Sequence, residues 1–199
     1  MELIFATNNR HKIVEISELV KNRVKISGLS EAGFFGEIPE DYPTIEQNAT
    51  QKSYYIYNLL KKDCFSDDTG LEVDALNGAP GVYSARFSRM GQIQFPDLEI
   101  ADGNIKKLLE LMKNESNRDA RFKTVISLVI GGVENQFEGI IPGKISFVRK
   151  GNSGFGYDPV FIPNGYNSSF AEMDMALKNQ ISHRAIAMNK LVKFLLEVG

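Results

Sequence analysis

One cysteine, no tryptophan, two histidines and a net charge of −2 define what this 199-residue chain has little of. A lone thiol can close no disulfide within the chain and can build no thiolate cage around a metal. Cys64 sits in an apolar approach to Asp67, so it reads as a small core residue and not as a nucleophile. The charges are nearly balanced, with 23 Lys and Arg against 25 Asp and Glu. That excludes bulk electrostatic attraction to nucleic acid or an anionic membrane, and any anionic ligand must be met by local cations. No apolar run approaches the length of a membrane span, and no secretory signal precedes Leu3, so a cytoplasmic protein is expected. Internal repeats and low-complexity segments are missing as well. So is the GxxxxGK[ST] spacing of a Walker loop, which disfavours a P-loop kinase or GTPase.

What is present is an ordinary globular composition, 43% hydrophobic and 24% charged, at a length that fits one large domain or two fused lobes. Residues 1–6 read as a short buried strand. A polar loop follows, and Ile13, Ile16, Leu19 and Val20 then recur at helical spacing. Residues 24–27 suit another strand, and the acidic segment 31–41 suits a loop. Thr44 and Gln47 match a capping box in which Gln47 reaches back to the cap amide. The helix it opens runs over 45–61, with Ala49, Ser53, Ile56 and Leu60 on one face. A further amphipathic helix covers 102–113. Residues 121–130 are strongly strand-like, Gly131-Gly132 turns the chain, residues 136–141 pair back, and 144–149 offer a third strand. Ser182 caps a last helix carrying Ile186, Met188, Leu191, Val192 and Leu195. The expected class is α/β or α+β around a mixed sheet.

Four stretches carry chemistry. In the loop Thr7-Asn8-Asn9-Arg10-His11-Lys12, Thr7 or Asn9 can cap the helix, and its amides with Arg10 and Lys12 suit a phosphate; a plain capped loop fits equally. Residues 65–88 read FSDDTGLEVDALNGAPGVYSARFS. There Asp67 and Asp68 are expected to end a strand, with Thr69-Gly70 turning the backbone. Only one of the two carboxylates should face a given cleft, because strand side chains alternate. The pair would suit Mg²⁺, although an Asp-Gly turn reads the same way. Gly151, Gly154 and Gly156 bracket Phe155 and Tyr157, whose rings would suit a flat base; a hairpin loop with one buried aromatic is the alternative. Lys178 precedes His183 and Arg184, which open the last helix. Cations at that positive end are mildly unfavourable unless an anion or an acceptor-rich ligand arrives. Phosphate donors, carboxylates, a stacking platform and cations together make an inventory for hydrolysing a nucleoside triphosphate.

Five motifs in register extend this reading: the loop at 7–12, Ser66-Asp67-Asp68-Thr69-Gly70-Leu71, the segment 78–86, Gly154-Phe155-Gly156-Tyr157-Asp158-Pro159, and Ser182-His183-Arg184. With them the chain resembles the inosine-triphosphate pyrophosphatase family from Leu3 to about Leu196. The resemblance implies an elongated two-lobed homodimer, one nucleotide pyrophosphatase domain with its active-site cleft between the lobes. It also implies Mg²⁺-dependent conversion of ITP, dITP and XTP to monophosphate and pyrophosphate, cleansing the nucleotide pool. By the same resemblance Thr7, Asn8, Asn9, Arg10, His11 and Lys12 hold the phosphates. Asp68 is general base and metal ligand, and Thr69 stands where the family often has serine. Phe155, Gly156, Tyr157, Asp158, Lys178, His183 and Arg184 contact the nucleotide. Glu40 is the best match for a second metal carboxylate, with Glu37 as the alternative. Donors from His183 and Arg184 would favour a 6-oxo purine over the 6-amino group of adenine. A pyrophosphatase for modified pyrimidine or methylated nucleotides, or a nucleotide-binding module without catalysis, would share much of this pattern.

Overall fold

The computed structural model describes residues 2–20 and 24–198; Met1, part of the expected first strand, lies outside them. Strand β1 (Glu2–Phe5) leads into helix α1 (Arg10–Val20), and the chain returns as β2 (Lys25–Gly28), parallel to β1 with Leu3 opposite Ile26. Helix α2 (Ile45–Leu60) then precedes β3 (Cys64–Val73), which also runs parallel to β1. Parallel neighbours joined through helices are the mark of an α/β layer. The short β4 (Pro80–Gly81) pairs antiparallel with Leu71 and Glu72. After α3 (Ile100–Leu111) come β5 (Asp119–Ile130) and β6 (Val133–Ile145), joined by Gly131-Gly132, both at positive φ as a two-residue hairpin turn requires. Strand β7 (Phe161–Pro163) pairs antiparallel with residues 143–145, and helices α4 (Met175–Ile181) and α5 (His183–Val198) complete the chain. Among the described residues the sheet has the order β2-β1-β3-β5-β6-β7, with β4 attached to β3. The expected α/β class with a mixed sheet is what the chain forms.

The chain separates into two compact units, one of Met1–Asp68, Thr124–Gly139 and Ser182–Gly199, the other of Thr69–Lys123 and Ile140–Ile181. In the first, alternate residues of the strands feed two cores. Leu3, Phe5, Phe65, Ile126 and Leu128 pack with Ile16 of α1 and with Met188 and Leu191 of α5, and the rings of Phe5 and Phe65 stack 4.5 Å apart. Ile4, Ala6 and Cys64 pack instead with Ile56 of α2, Leu29 and Phe34. The second unit closes over Leu71, Val73, Ile105, Leu108, Phe122, Tyr157, Phe161 and Phe170.

Three expectations need correction. Asp67 and Asp68 do not end a strand: β3 continues through Thr69 and Gly70 to Val73, because Leu71 and Glu72 find partners in β4 and the Leu71 amide donates to Ser84 Oγ. The runs 136–141 and 144–149 are not two strands. β6 passes through Pro142 and ends at Ile145, where β7 rather than residues 146–149 supplies the next pairing. Gln47 does not reach back to the cap amide; its Oε1 accepts the Thr44 hydroxyl, while Thr44 Oγ1 accepts the Gln47 amide as expected. Helix α3 lies two residues earlier than its apolar spacing suggests, and β2 starts at Lys25.

Candidate functional site

Alternation along β3 sorts its side chains between the two cores of the first unit. Phe65 and Asp67 face α1 and α5; Cys64, Ser66 and Asp68 face α2, where Ser66 Oγ donates to the Ala49 carbonyl. Both aspartates are thus buried, each against its own helices.

Asp67 Oδ1 accepts from Lys12 Nζ at 2.8 Å, and its Oδ2 accepts from Arg184 Nε at 3.4 Å. Arg184 also donates through Nη1 to Glu15 Oε2 of α1. Burial alone would raise the Asp67 carboxyl, but Lys12 and Arg184 hold it well below the ordinary carboxylate range. Burial lowers the Lys12 ammonium, an effect that Asp67 offsets only in part because Lys52 and Arg184 add like charge. The acceptors that satisfy a cation at the start of α5 are therefore carboxylates of the protein itself. His183, the first residue of α5, is buried beside it.

On the other side of β3, Asp68 Oδ1 accepts from Lys52 Nζ at 3.0 Å, and Glu40 Oε1 accepts from the same Nζ at 2.6 Å. Lys52 is 4% exposed. Burial would lower its ammonium, but Asp68 and Glu40 outweigh this and raise it. Asp68 shifts the other way from Asp67: burial pushes its carboxyl up, Lys52 and Lys12 pull it back, and the Glu40 charge adds to the push, leaving it above the ordinary value. Glu37, the alternative to Glu40, lies on the exposed part of the loop. Asp68 and Glu40 offer hard carboxylate oxygens to one positive charge, which is the donor chemistry of Mg²⁺. Among the described residues no three His, Cys, Asp or Glu side chains gather as a ready-made cage. The residues present therefore fit an ion held by one or two carboxylates together with the phosphates of a substrate.

The loop before α1 forms the expected cap through Asn9, whose Oδ1 accepts the amides of His11 at 3.0 Å and Lys12 at 3.3 Å. The Thr7 hydroxyl accepts the Asn9 amide, and Asn8 Nδ2 donates to the Gly36 carbonyl. Arg10 and His11 are exposed at the helix start. In the second unit, Lys178 Nζ of α4 donates to Asp158 Oδ2 at 2.7 Å, and the same oxygen accepts the Phe155 amide at 2.8 Å. The Lys178 ammonium lies 5.1 Å from the centre of the half-buried Phe155 ring. A Cβ at Gly154 would stand 2.2 Å from Asp158 Oδ2, so a side chain there would displace this pair. Gly156 follows at positive φ. Tyr157 turns its ring into the core, and its hydroxyl donates to the Ser84 carbonyl, so it braces the loop. Thr69 continues β3 and is half-buried.

Residues 3–194 match the model of the Ham1 family. The chain belongs to the Ham1 family. It is 47% identical over 195 residues to the dITP/XTP pyrophosphatase of Christiangramia forsetii, covering 98% of this chain and 99% of that one. The same figure, 47% over 196 residues, holds for the dITP/XTP pyrophosphatase of Porphyromonas gingivalis, covering 98% and 97%. The solved structure of the Staphylococcus aureus Ham1 protein superposes with a TM-score of 0.86 at 36% identity, each chain covered in full. The kinship spans both compact units, so neither is an addition to a smaller Ham1-like piece.

Sequence reasoning missed Lys52 and Glu15. Each carried a signal: Lys52 falls between Ala49 and Ser53 on the face of α2 that must be buried, and Glu15 adjoins Ile16 on the buried face of α1. A charged residue on a helix face that packs against a sheet needs a buried partner of opposite sign.

Proposed function

We propose that this Ham1-family protein hydrolyses dITP, ITP and XTP to the nucleoside monophosphate and pyrophosphate. The observation that carries the reading is the convergence of Asp68 and Glu40 on one buried ammonium, Lys52, in a chain nearly half identical to dITP/XTP pyrophosphatases. Asp68 and Glu40 would hold Mg²⁺, and the ion would supply charge neutralisation of the triphosphate and polarisation of a phosphoryl oxygen. Asp68, whose carboxyl burial pushes above the ordinary carboxylate value, takes the proton of the attacking water. The oxygen of that water bonds to the innermost phosphorus, and the bond from that phosphorus to the bridging oxygen breaks, so the electron pair leaves with pyrophosphate. Lys52 keeps its charge beside Glu40 and Asp68 and opposes the negative charge of the phosphates.

Lys12 and the loop of Thr7, Asn8, Asn9, Arg10 and His11 bind the outer phosphates. Lys12 must then exchange part of its bond to Asp67 for a phosphate oxygen, which Arg184 makes feasible by keeping Asp67 charged. Thr69, Phe155, Gly156, Tyr157, Asp158, Lys178 and His183 serve the nucleoside; the Phe155 ring and the Lys178–Asp158 pair support base stacking and hydrogen bonding in that unit. Arg184, engaged by Asp67 and Glu15, supports phosphate binding through the placement of Lys12, and donors from His183 and backbone amides select the 6-oxo base. The protein acts in the cytoplasm as a homodimer, a state that sedimentation velocity tests.

The direct experiment measures pyrophosphate and monophosphate from dITP, ITP, XTP, GTP and ATP, with and without Mg²⁺. Expected are Mg²⁺-dependent products from the first three with kcat/KM about 100-fold or more above that for ATP, because a site built for a 6-oxo acceptor leaves buried groups unpaired against a 6-amino group. Equal rates on ATP, or release of orthophosphate instead of pyrophosphate, would overturn the reading.

A further inference from the structure

We propose that Asn48 and Gln51 of α2 are positioning residues that hold Glu40 in its place at the metal site. The inference rests on the reading of Asp68 and Glu40 as the metal carboxylates. Glu40 comes from a stretch with neither helix nor strand, and nothing in its backbone geometry alone would set its carboxylate opposite Asp68. The two residues after it are clamped to α2 by four hydrogen bonds. The Asp41 amide donates to Gln51 Oε1 at 2.9 Å, and Gln51 Nε2 returns to Asp41 Oδ2 at 2.7 Å. The Tyr42 amide donates to Asn48 Oδ1 at 2.9 Å, and Asn48 Nδ2 returns to the Tyr42 carbonyl at 3.0 Å.

Asn48 is 1% exposed and uses its amide in both senses, so it fits this one backbone register and no other. Asn48, Gln51 and Lys52 lie within about one turn of one another on α2, so the helix that carries the ammonium also carries the clamp. Any shift of α2 moves Lys52 and the Glu40 backbone together, and the distance between Glu40 and Lys52 is preserved. Groups of this kind, one step behind a metal ligand, commonly change metal affinity by about 10- to 100-fold when removed. The competing account is that Asn48 merely shapes the entry to α2 by holding Tyr42, two residues before the Thr44 cap.

The test is a double-mutant cycle of Asn48→Ala with Glu40→Gln, read in two ways: Mn²⁺ affinity by electron paramagnetic resonance with a non-hydrolysable α,β-methylene ITP present, and kcat against KM for ITP. Asn48→Ala should weaken Mn²⁺ binding about tenfold or more and lower kcat, with a smaller change in nucleotide KM at saturating metal. In the Glu40→Gln background the same change should cost less than about twofold, because coupled residues are not additive. An unchanged Mn²⁺ affinity in a folded Asn48→Ala protein, or an equal penalty with and without Glu40, would overturn the proposal. Should Asn48→Ala lose its far-ultraviolet circular dichroism, Gln51→Ala decides by the same cycle. Gln51 lines a cavity of about 580 Å³ with Tyr42, Tyr54 and Gln136, so its truncation leaves the core intact. A wild type that binds Mn²⁺ and releases pyrophosphate while both variants behave normally overturns the clamp alone; a wild type that does neither overturns the metal site as well.

Discussion

Asp67 and Asp68 are adjacent and chemically identical, yet their surroundings drive them in opposite directions. Asp67 faces two cations and is held ionised; Asp68 shares one cation with a second carboxylate and is raised. A carboxylate that must accept a proton gains basicity from that raised value, whereas a depressed one suits a fixed counter-charge. Asp68→Asn is therefore expected to lower kcat by about 10²- to 10⁴-fold while ITP binding, measured by calorimetry, persists; near-normal turnover would remove Asp68 as the base. Lys52 is the largest influence lowering Asp68, so Lys52→Met should move the acid limb of the kcat/KM profile to higher pH. An acid limb that stays in place would show that Asp68 does not set it. Elsewhere the burial of Cys64 pushes its thiol up to about 12, which agrees with an inert core residue.

At the scale of elements, the site depends on how closely α5 and β6 approach. A Cβ on Gly139 would stand 2.0 Å from the His183 carbonyl and 2.6 Å from the Ala187 amide, so only glycine admits the first turn of α5. Gly139→Ala should move α5 away from the sheet and with it the Arg184 bond to Asp67. A loss of about 1–3 kcal/mol is expected in urea unfolding, together with weaker nucleotide binding; a neutral result would show that the backbone yields there at no cost. Helices α1, α2 and α5 were legible in the sequence because their signals are local: Asn9, Thr44 and Ser182 act as caps within a few residues of their own amides, whereas α4 was not expected. The extents of β3 and β6 were not. Thr69-Gly70 and Pro142-Gly143 have turn character, and the pairing with β4 and β7 that carries the strands through them comes from partners outside the local stretch, Gly81 for Leu71 and Pro163 for Gly143.

For the whole molecule, buried charge makes stability depend on pH in a definite sense. The Asp67 carboxyl titrates lower folded than unfolded, so the native state binds fewer protons through that interval. Its stabilising contribution is complete above the ordinary value of 3.8 and disappears as the pH falls toward the folded value. Asp68, being raised, works oppositely: its contribution is present below 3.8 and is lost as the pH rises through its folded value. Removing one partner of a buried pair leaves the other charge uncompensated, so Asp67→Asn should destabilise the protein by about 3 kcal/mol or more near neutral pH. The difference in thermal midpoint between variant and wild type should narrow as the buffer becomes acidic. A difference independent of pH would mean that Asp67 acts by shape and not by charge.

The amino-acid sequence by itself determined the α/β class, the caps and the hairpin turn, because propensity, capping and spacing act over a few residues. The Asp67-Asp68 pair stood out as well, whereas Glu40 entered only through the family resemblance, with Glu37 as its alternative. Which cation each carboxylate meets was decided only in three dimensions. Lys12, Lys52 and Arg184 lie 55, 16 and 117 residues from the aspartates they contact, and folding alone brings them to the faces of one strand.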